Sequence, residues 1–422
     1  MLVRLSNARA RSVNWWTALH GLHSDAILYG LSAVFALGLG WESREAAQWH
    51  WGYLAAAPYA AVALVAWFLG RRVIRKTNVV RIVMLTIVML GAVAMPLALE
   101  ARWRQAQPEV SVIVRSARNL INGQDPYRTY VVHGKIVDAV PGIPAYESFF
   151  PYFPLMSVFG LPSAETGKSA GLTDARIVMT LMTMLVGGLA LFMLRASRSK
   201  KIRVAQLLLA LPTGALFLAT GGDDMPILAL LLLGVAALQR RSSYVAGVSL
   251  ALAAAMKLTA WPLAVGSLLV TREKSGRSAW KKVALIIGAI VVVSIAPFAV
   301  HAPWAFMSNV FAFPLGLAGV RSPAASPLPG HMLTVLWAPL GHLLAPVILV
   351  IGGYFAAKYL RRHWPLSLSQ LLGLLAVAFG AMICAASSTR IGYVIYPLNF
   401  GLWSWVCFDQ PVKTPELVLD RA

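Results

Sequence analysis

Val283-Ala284-Leu285-Ile286-Ile287-Gly288-Ala289-Ile290-Val291-Val292-Val293-Ser294-Ile295-Ala296-Pro297-Phe298-Ala299-Val300 runs without a single charged side chain. A helix crossing a bilayer needs about 17–25 such residues, and Ile82–Leu99 and Ile177–Leu194 meet the same requirement. The whole chain agrees with these blocks. Of 422 residues, 58% are hydrophobic and 13% charged, and mean hydropathy is +0.68; soluble domains carry about 25% charged residues. The sequence therefore predicts an all-α, polytopic transmembrane helix bundle, read as one integral membrane domain over residues 1–422. A soluble enzyme, a nucleic-acid-binding domain and a secreted disulfide scaffold are excluded.

The formal charge of +21 belongs to topology. Alternate inter-helix segments, beginning with residues 1–26 and including 71–81, 195–203, 240–241, 272–282, 358–362 and the C-tail, hold 25 basic residues and five acidic ones. The opposite segments hold 11 of each, with Lys257 left inside an apolar stretch. Basic loops stay in the cytoplasm. Both termini are expected there, in a plasma-membrane protein with the opposite segments outside. Cys384 and Cys407 both fall in expected spans, which argues against a disulfide framework or a metal quartet.

Spans are expected near 27–41, 51–70, 80–99, 175–194, 204–220, 225–239, 244–270, 283–300, 333–355, 368–386 and 391–408, about 10–12 in all. Connections on the basic side are short and carry no Walker or dinucleotide glycine fingerprint, which argues against a cytosolic nucleotide donor. Two connections on the other side are long, about 100–174 and 301–332, and long segments are where function concentrates. The 244–270 block is flanked on both sides by basic clusters, Arg240-Arg241 and Arg272 to Arg277. One straight span would break the alternation, so a hairpin of two short helices is expected, with its apex at Met256-Lys257-Leu258-Thr259-Ala260-Trp261-Pro262. The preceding pair should turn at Thr220-Gly221-Gly222-Asp223-Asp224-Met225-Pro226. Broken helices at membrane depth are tolerated where they line a cavity. In the first long segment, Glu109 to Asn122 reads as an amphipathic helix. The Phe149–Leu155 stretch, rich in aromatics and proline, reads as lying at the membrane interface.

A charge in apolar sequence is costly and marks a functional candidate. Glu109 qualifies, although a carboxylate at a helix start is also stabilised by the helix dipole. Asp125, before Pro126 and Tyr127, has the character of a turn residue. Asp223 and Asp224 could orient a hydroxyl or simply cap the next helix. Lys257, Arg321, His331 and Arg390 form a cationic set at the outer ends of spans or in outer loops. Around one cavity they would suit a phosphate headgroup. For Lys257 the alternative is snorkelling, for His331 a structural bond, for Arg390 a positional anchor. No further His or carboxylate lies at metal-ligand spacing, and no metal or cofactor is expected.

Glu109 to Val112 with Arg115 to Arg118, Asn122 to Tyr127, Phe150 to Leu155, Gly221 to Asp224 and Lys257 to Pro262, in this order, give the chain a likeness to a known group. It resembles the actinobacterial glycosyltransferase 87 family, polyprenyl-phosphate-mannose-dependent mannosyltransferases of the C superfamily. The resemblance implies a carboxylate base in the first large outer loop, at the position of Glu109, where the family typically has Asp. It implies a polyprenyl-phosphate-sugar donor and a cell-envelope lipid or glycan acceptor. Transfer would invert the anomeric centre, with Lys257, Arg390, Arg321 and His331 toward the donor phosphate and Asp223, Asp224, Asp125 and Tyr127 toward substrate. Two extra spans before that loop depart from the pattern. The rival is a multi-pass lipid or small-molecule transporter, using the same buried charges as a path. No inverted repeat supports it, and loop mass lies on one face.

Overall fold

The computed structural model describes residues 21–71, 77–320, 324, 326–337, 339–387 and 390–408. Almost every element is helical. Among the described residues, six helices are long and apolar enough to cross a membrane: Leu22–Glu42, Ala46–Gly70, Thr77–Trp103, Ala175–Met193, Ser275–His301 and Leu368–Ala385. A seventh crossing is bent: Arg198–Ala210 and Pro212–Thr220 meet at 43°. Pro212 has no N–H to continue the ladder, and at the bend the Tyr59 hydroxyl donates to the Ala210 carbonyl at 2.5 Å. The fold is an all-α polytopic bundle, and the chain is a multi-pass membrane protein.

One predicted boundary is corrected, and one predicted separation is located. The span expected over 333–355 is two helices, Pro329–Leu336 and Leu340–Arg362, separated by a break that contains Pro339. The long helix Trp261–His301 is broken at Gly276, whose φ of 82° is left-handed; a side chain would strain that conformation. The break falls in the basic 272–282 connection, so the hairpin's second arm and the next span are distinct.

Short helices build the middle of the bundle. Asp224–Gln239 and Ser243–Ala254 are apolar but too short for ordinary spans, the latter about 18 Å long at 1.5 Å per residue. The 244–270 hairpin is present, with its turn at Ala255–Ala260 and its second arm starting at Trp261. The Trp261 indole N–H donates to the Ala254 carbonyl at 2.9 Å and ties the two arms together.

The two long connections pack on one another. Asn309 donates to the Thr129 carbonyl at 2.6 Å and accepts from the Phe150 N–H at 2.7 Å. The Pro108–Ile121 helix is amphipathic as expected, burying Val110, Val112, Ile113 and Ala117. Beyond it lies a small antiparallel hairpin, Tyr130–Val132 with Lys135–Val137, in which Val131 faces Ile136. The aromatic stretch does not lie on a surface. Phe149, Phe150, Tyr152 and Phe153 are all buried, against Phe313, Tyr127, Phe306 and Trp261. The second long connection supplies two of these rings, so the stretch that the sequence places at the membrane interface is covered by protein.

At the other end Asp25, Arg81 and Arg203 meet. Arg81 Nε is 2.6 Å and an Arg203 guanidinium nitrogen 3.0 Å from the buried Asp25 carboxylate. Sequence places all three on the basic side, and the fold brings them together.

Candidate functional site

Each hairpin apex presents its charge where the other can reach it. The Pro212–Thr220 half-helix ends at Gly221, left-handed at φ 96°. A Cβ there would lie 2.3 Å from Val110 Cγ2 and 2.6 Å from Arg176 Cγ, so only glycine lets the turn approach the amphipathic helix. Asp223 occupies the N-cap of the next helix but makes no side-chain cap bond. Its carboxylate goes to Lys257 instead. Lys257 Nζ lies 2.6 Å from Asp223 Oδ2 and 2.6 Å from Asp224 Oδ1.

Aromatic hydroxyls complete this cluster. Tyr396 donates to Asp224 Oδ1 at 2.5 Å and shares a 2.7 Å bond with Thr259. The Lys257 ammonium stands 5.3 Å from the Tyr152 ring centroid, within cation–π range. Tyr152 is held from behind, its carbonyl accepting the Tyr127 hydroxyl at 2.8 Å, while the Phe153 N–H donates to Met256 O at 2.9 Å. Tyr127 is thus buried and committed to positioning Tyr152. Asp125 accepts the Tyr127 N–H at 2.7 Å, the turn geometry its sequence predicts. Burial raises its pKa above the ordinary aspartate value, against the opposing effect of that hydrogen bond.

Glu109 sits in the first turn of its helix and pairs with Arg390, guanidinium to Oε1, at 2.6 Å. Its other oxygen is buried and takes no hydrogen bond from a described residue. Gln107 anchors the helix start to the glycine turn: its N–H donates to the Thr220 carbonyl at 3.0 Å and its amide to the Thr220 hydroxyl at 2.8 Å. Glu109 is in Coulombic reach of Asp223 and Tyr152. The amphipathic helix and both apices therefore share one electrostatic neighbourhood.

Two members of the expected cationic set are paired with carboxylates. Lys257 is held by two carboxylates and Arg390 by one. With both aspartates ionised, the Lys257 cluster has a formal charge of −1, which does not attract an anion. His331 Nδ1 donates to the Ser387 carbonyl at 3.0 Å; a carbonyl only accepts, which sets the tautomer. Gly330 packs on the same turn, where a Cβ would lie 2.2 Å from Ala385 O. His331 and Gly330 thus secure the turn leading to Arg390. Arg321 lies outside the described residues. Sequence reasoning missed Tyr152, Tyr396, Thr259 and Gln107. Tyr393 and Tyr396, polar-tipped rings three apart at a span's start, were the available signal.

The broken helices thus bring carboxylates, cations and tyrosines together. A family model, Glycosyltransferase family 87, matches residues 150–388, more than half of the chain. The chain belongs to that family and is a membrane glycosyltransferase. The matched stretch includes Tyr152, Asp223, Asp224, Lys257 and His331; Glu109 and Arg390 lie outside it. No curated protein matches the chain.

Proposed function

We propose that this transferase moves a sugar, mannose by the motif resemblance, from a polyprenyl-phosphate donor to a hydroxyl of a cell-envelope lipid or glycan. The site faces outside and both termini lie in the cytoplasm. Glu109 is the general base. It removes the acceptor proton as that oxygen attacks the anomeric carbon; the bond from that carbon to the phosphate oxygen breaks, polyprenyl phosphate leaves, and the configuration inverts. A phosphate already leaves well, so a cation at the leaving oxygen suffices in place of an acid.

The observation that carries this reading is the Arg390–Glu109 pair beside the two joined apices. In the resting protein the guanidinium holds the carboxylate. A donor phosphate competes for that guanidinium, turning Arg390 toward the leaving group and freeing Glu109. Asp223 and Asp224, fixed by Lys257, accept sugar hydroxyls, and Arg390 carries the phosphate. His331 supports the Arg390 turn.

The test uses purified protein in lipid nanodiscs with labelled polyprenyl-phosphate-mannose and an extracted envelope-lipid fraction. Label in a new glycosidic product is expected. In sealed vesicles, movement of labelled donor across the bilayer with no new product would favour a transporter instead.

A further inference from the structure

Near the end of the Thr77–Trp103 helix a carboxylate is buried without a hydrogen bond. Glu100 is 0% exposed, and neither of its oxygens accepts a hydrogen bond from a described residue. His50 Nδ1 faces Oε1 at 3.9 Å, too far for a hydrogen bond, and is itself buried with no hydrogen bond to a described residue. Gln105 Oε1 is in the same condition; its residue follows closely, with its N–H on the Glu100 carbonyl at 3.0 Å. The neighbouring cation, Arg176, is committed elsewhere. Its guanidinium holds both Asp174 oxygens and the Gln105 carbonyl.

Burying polar groups without partners costs folding free energy, so three such side chains on neighbouring elements are not a stabilising device. All three are able to accept hydrogen bonds: carboxylate and amide oxygens, and an imidazole nitrogen. Among the described residues they have no donor, which hydroxyl groups supply. The margin is aromatic, with the Trp49 and Trp103 rings 3.5 Å and 4.8 Å from that of His50, and the His50 side chain keeps 20% exposure. Aromatic faces beside a few convergent polar atoms are the usual make-up of sites for amphipathic ring ligands. The cluster also adjoins the reaction end. The Met95–Trp103 stretch packs on Pro212–Thr220, and the Arg176 stem lies against Gly221.

We propose that Glu100, His50 and Gln105 form a second ligand site, which takes the hydroxyl-bearing saccharide headgroup of the acceptor. Its assignment to the acceptor rests on the transferase reading above; the site itself rests on the unbonded buried atoms. The Ala46–Gly70 and Thr77–Trp103 helices, which precede the first long connection, then contribute to acceptor recognition.

Octyl α-mannoside serves as probe, with the full chain in nanodiscs and no donor present. Saturation-transfer NMR, referenced to protein-free discs, reads binding while thermal melting reads the fold. Glu100→Leu and Gln105→Leu should each weaken binding at least about ten-fold, Glu100→Leu melting no lower than wild type. Gly188→Ala, whose added Cβ meets open space, should bind the probe as wild type does. Wild-type binding in both leucine variants, or loss only alongside a lowered melting temperature, overturns the site. In the transfer assay Glu100→Leu should raise the acceptor KM and leave the donor KM unchanged; a raised donor KM overturns the acceptor assignment. The binding arm involves no transfer, so it stands or falls separately from the proposed reaction.

Discussion

One ammonium joins two hairpin apices: Lys257 Nζ sits 2.6 Å from Asp223 Oδ2, 34 residues away in sequence, and equally close to Asp224. Removing one partner of a buried ion pair costs about 3–5 kcal/mol, because the remaining charge stays desolvated. Lys257→Met should therefore lower stability by about that amount in a denaturant or thermal series. Adding Asp223→Asn should recover part of the loss without restoring transfer. Equal stability of Lys257→Met and wild type would mean the cluster does not hold the apices together.

Arg390 has a different task, and its loss should read out on the donor. A charge-assisted hydrogen bond to phosphate is worth about 1.5–3 kcal/mol, so Arg390→Met should raise the donor KM on the order of ten- to a hundred-fold. The acceptor KM should move little. If only expression falls and both KM values hold, Arg390 is an anchor for its turn.

Gly221 tests whether the close approach of the amphipathic helix matters. An added Cβ would meet Val110, next to Glu109, at 2.3 Å in a left-handed backbone. Strain of this kind costs about 1–3 kcal/mol. Gly221→Ala should reduce transfer strongly, whereas Gly188→Ala, with open space around its Cβ, should not. Similar activities for the two would separate Glu109 placement from the glycine turn.

Asp125 makes a pH prediction. Burial raises its folded pKa, so the folded state holds this proton more tightly than the unfolded state does. The stability it contributes is complete below the ordinary aspartate pKa and is lost as pH rises through the raised value. Asp125→Asn still accepts the Tyr127 N–H but has no charge to bury. The variant should gain stability relative to wild type as pH climbs through that window, while transfer stays near wild type. A gap in melting temperature that does not change with pH would rule out the buried charge as its cause.

Local chemistry made much of the fold legible. Apolar run lengths predict the long spans, and the two basic flanks around 27 residues predict the hairpin at Lys257. The 3.6-residue periodicity after Gln107-Pro108 predicts the Pro108–Ile121 helix. Partners were not legible. Lys257 with Asp223, and Arg390 with Glu109, 281 residues apart, are tertiary pairings that no local spacing encodes. Tyr152 was misread for a related reason: a ring at an interface and a ring under a second loop have the same local sequence. Glu100 went unseen because it stands at the edge of its apolar run, where a carboxylate passes for a span boundary.

The central claim is that Glu109 removes the acceptor proton. Glu109→Gln preserves size and hydrogen bonding but cannot act as that base, and loss of a general base costs about a hundred- to ten-thousand-fold. The decisive measurement is single-turnover transfer from labelled polyprenyl-phosphate-mannose by Glu109→Gln in nanodiscs, with donor binding measured on the same sample. The account predicts donor binding near wild type and a transfer rate reduced by that factor. Near-wild-type transfer by Glu109→Gln, with transfer lost in Asp223→Asn or Asp224→Asn, would contradict it and move the base to the glycine turn.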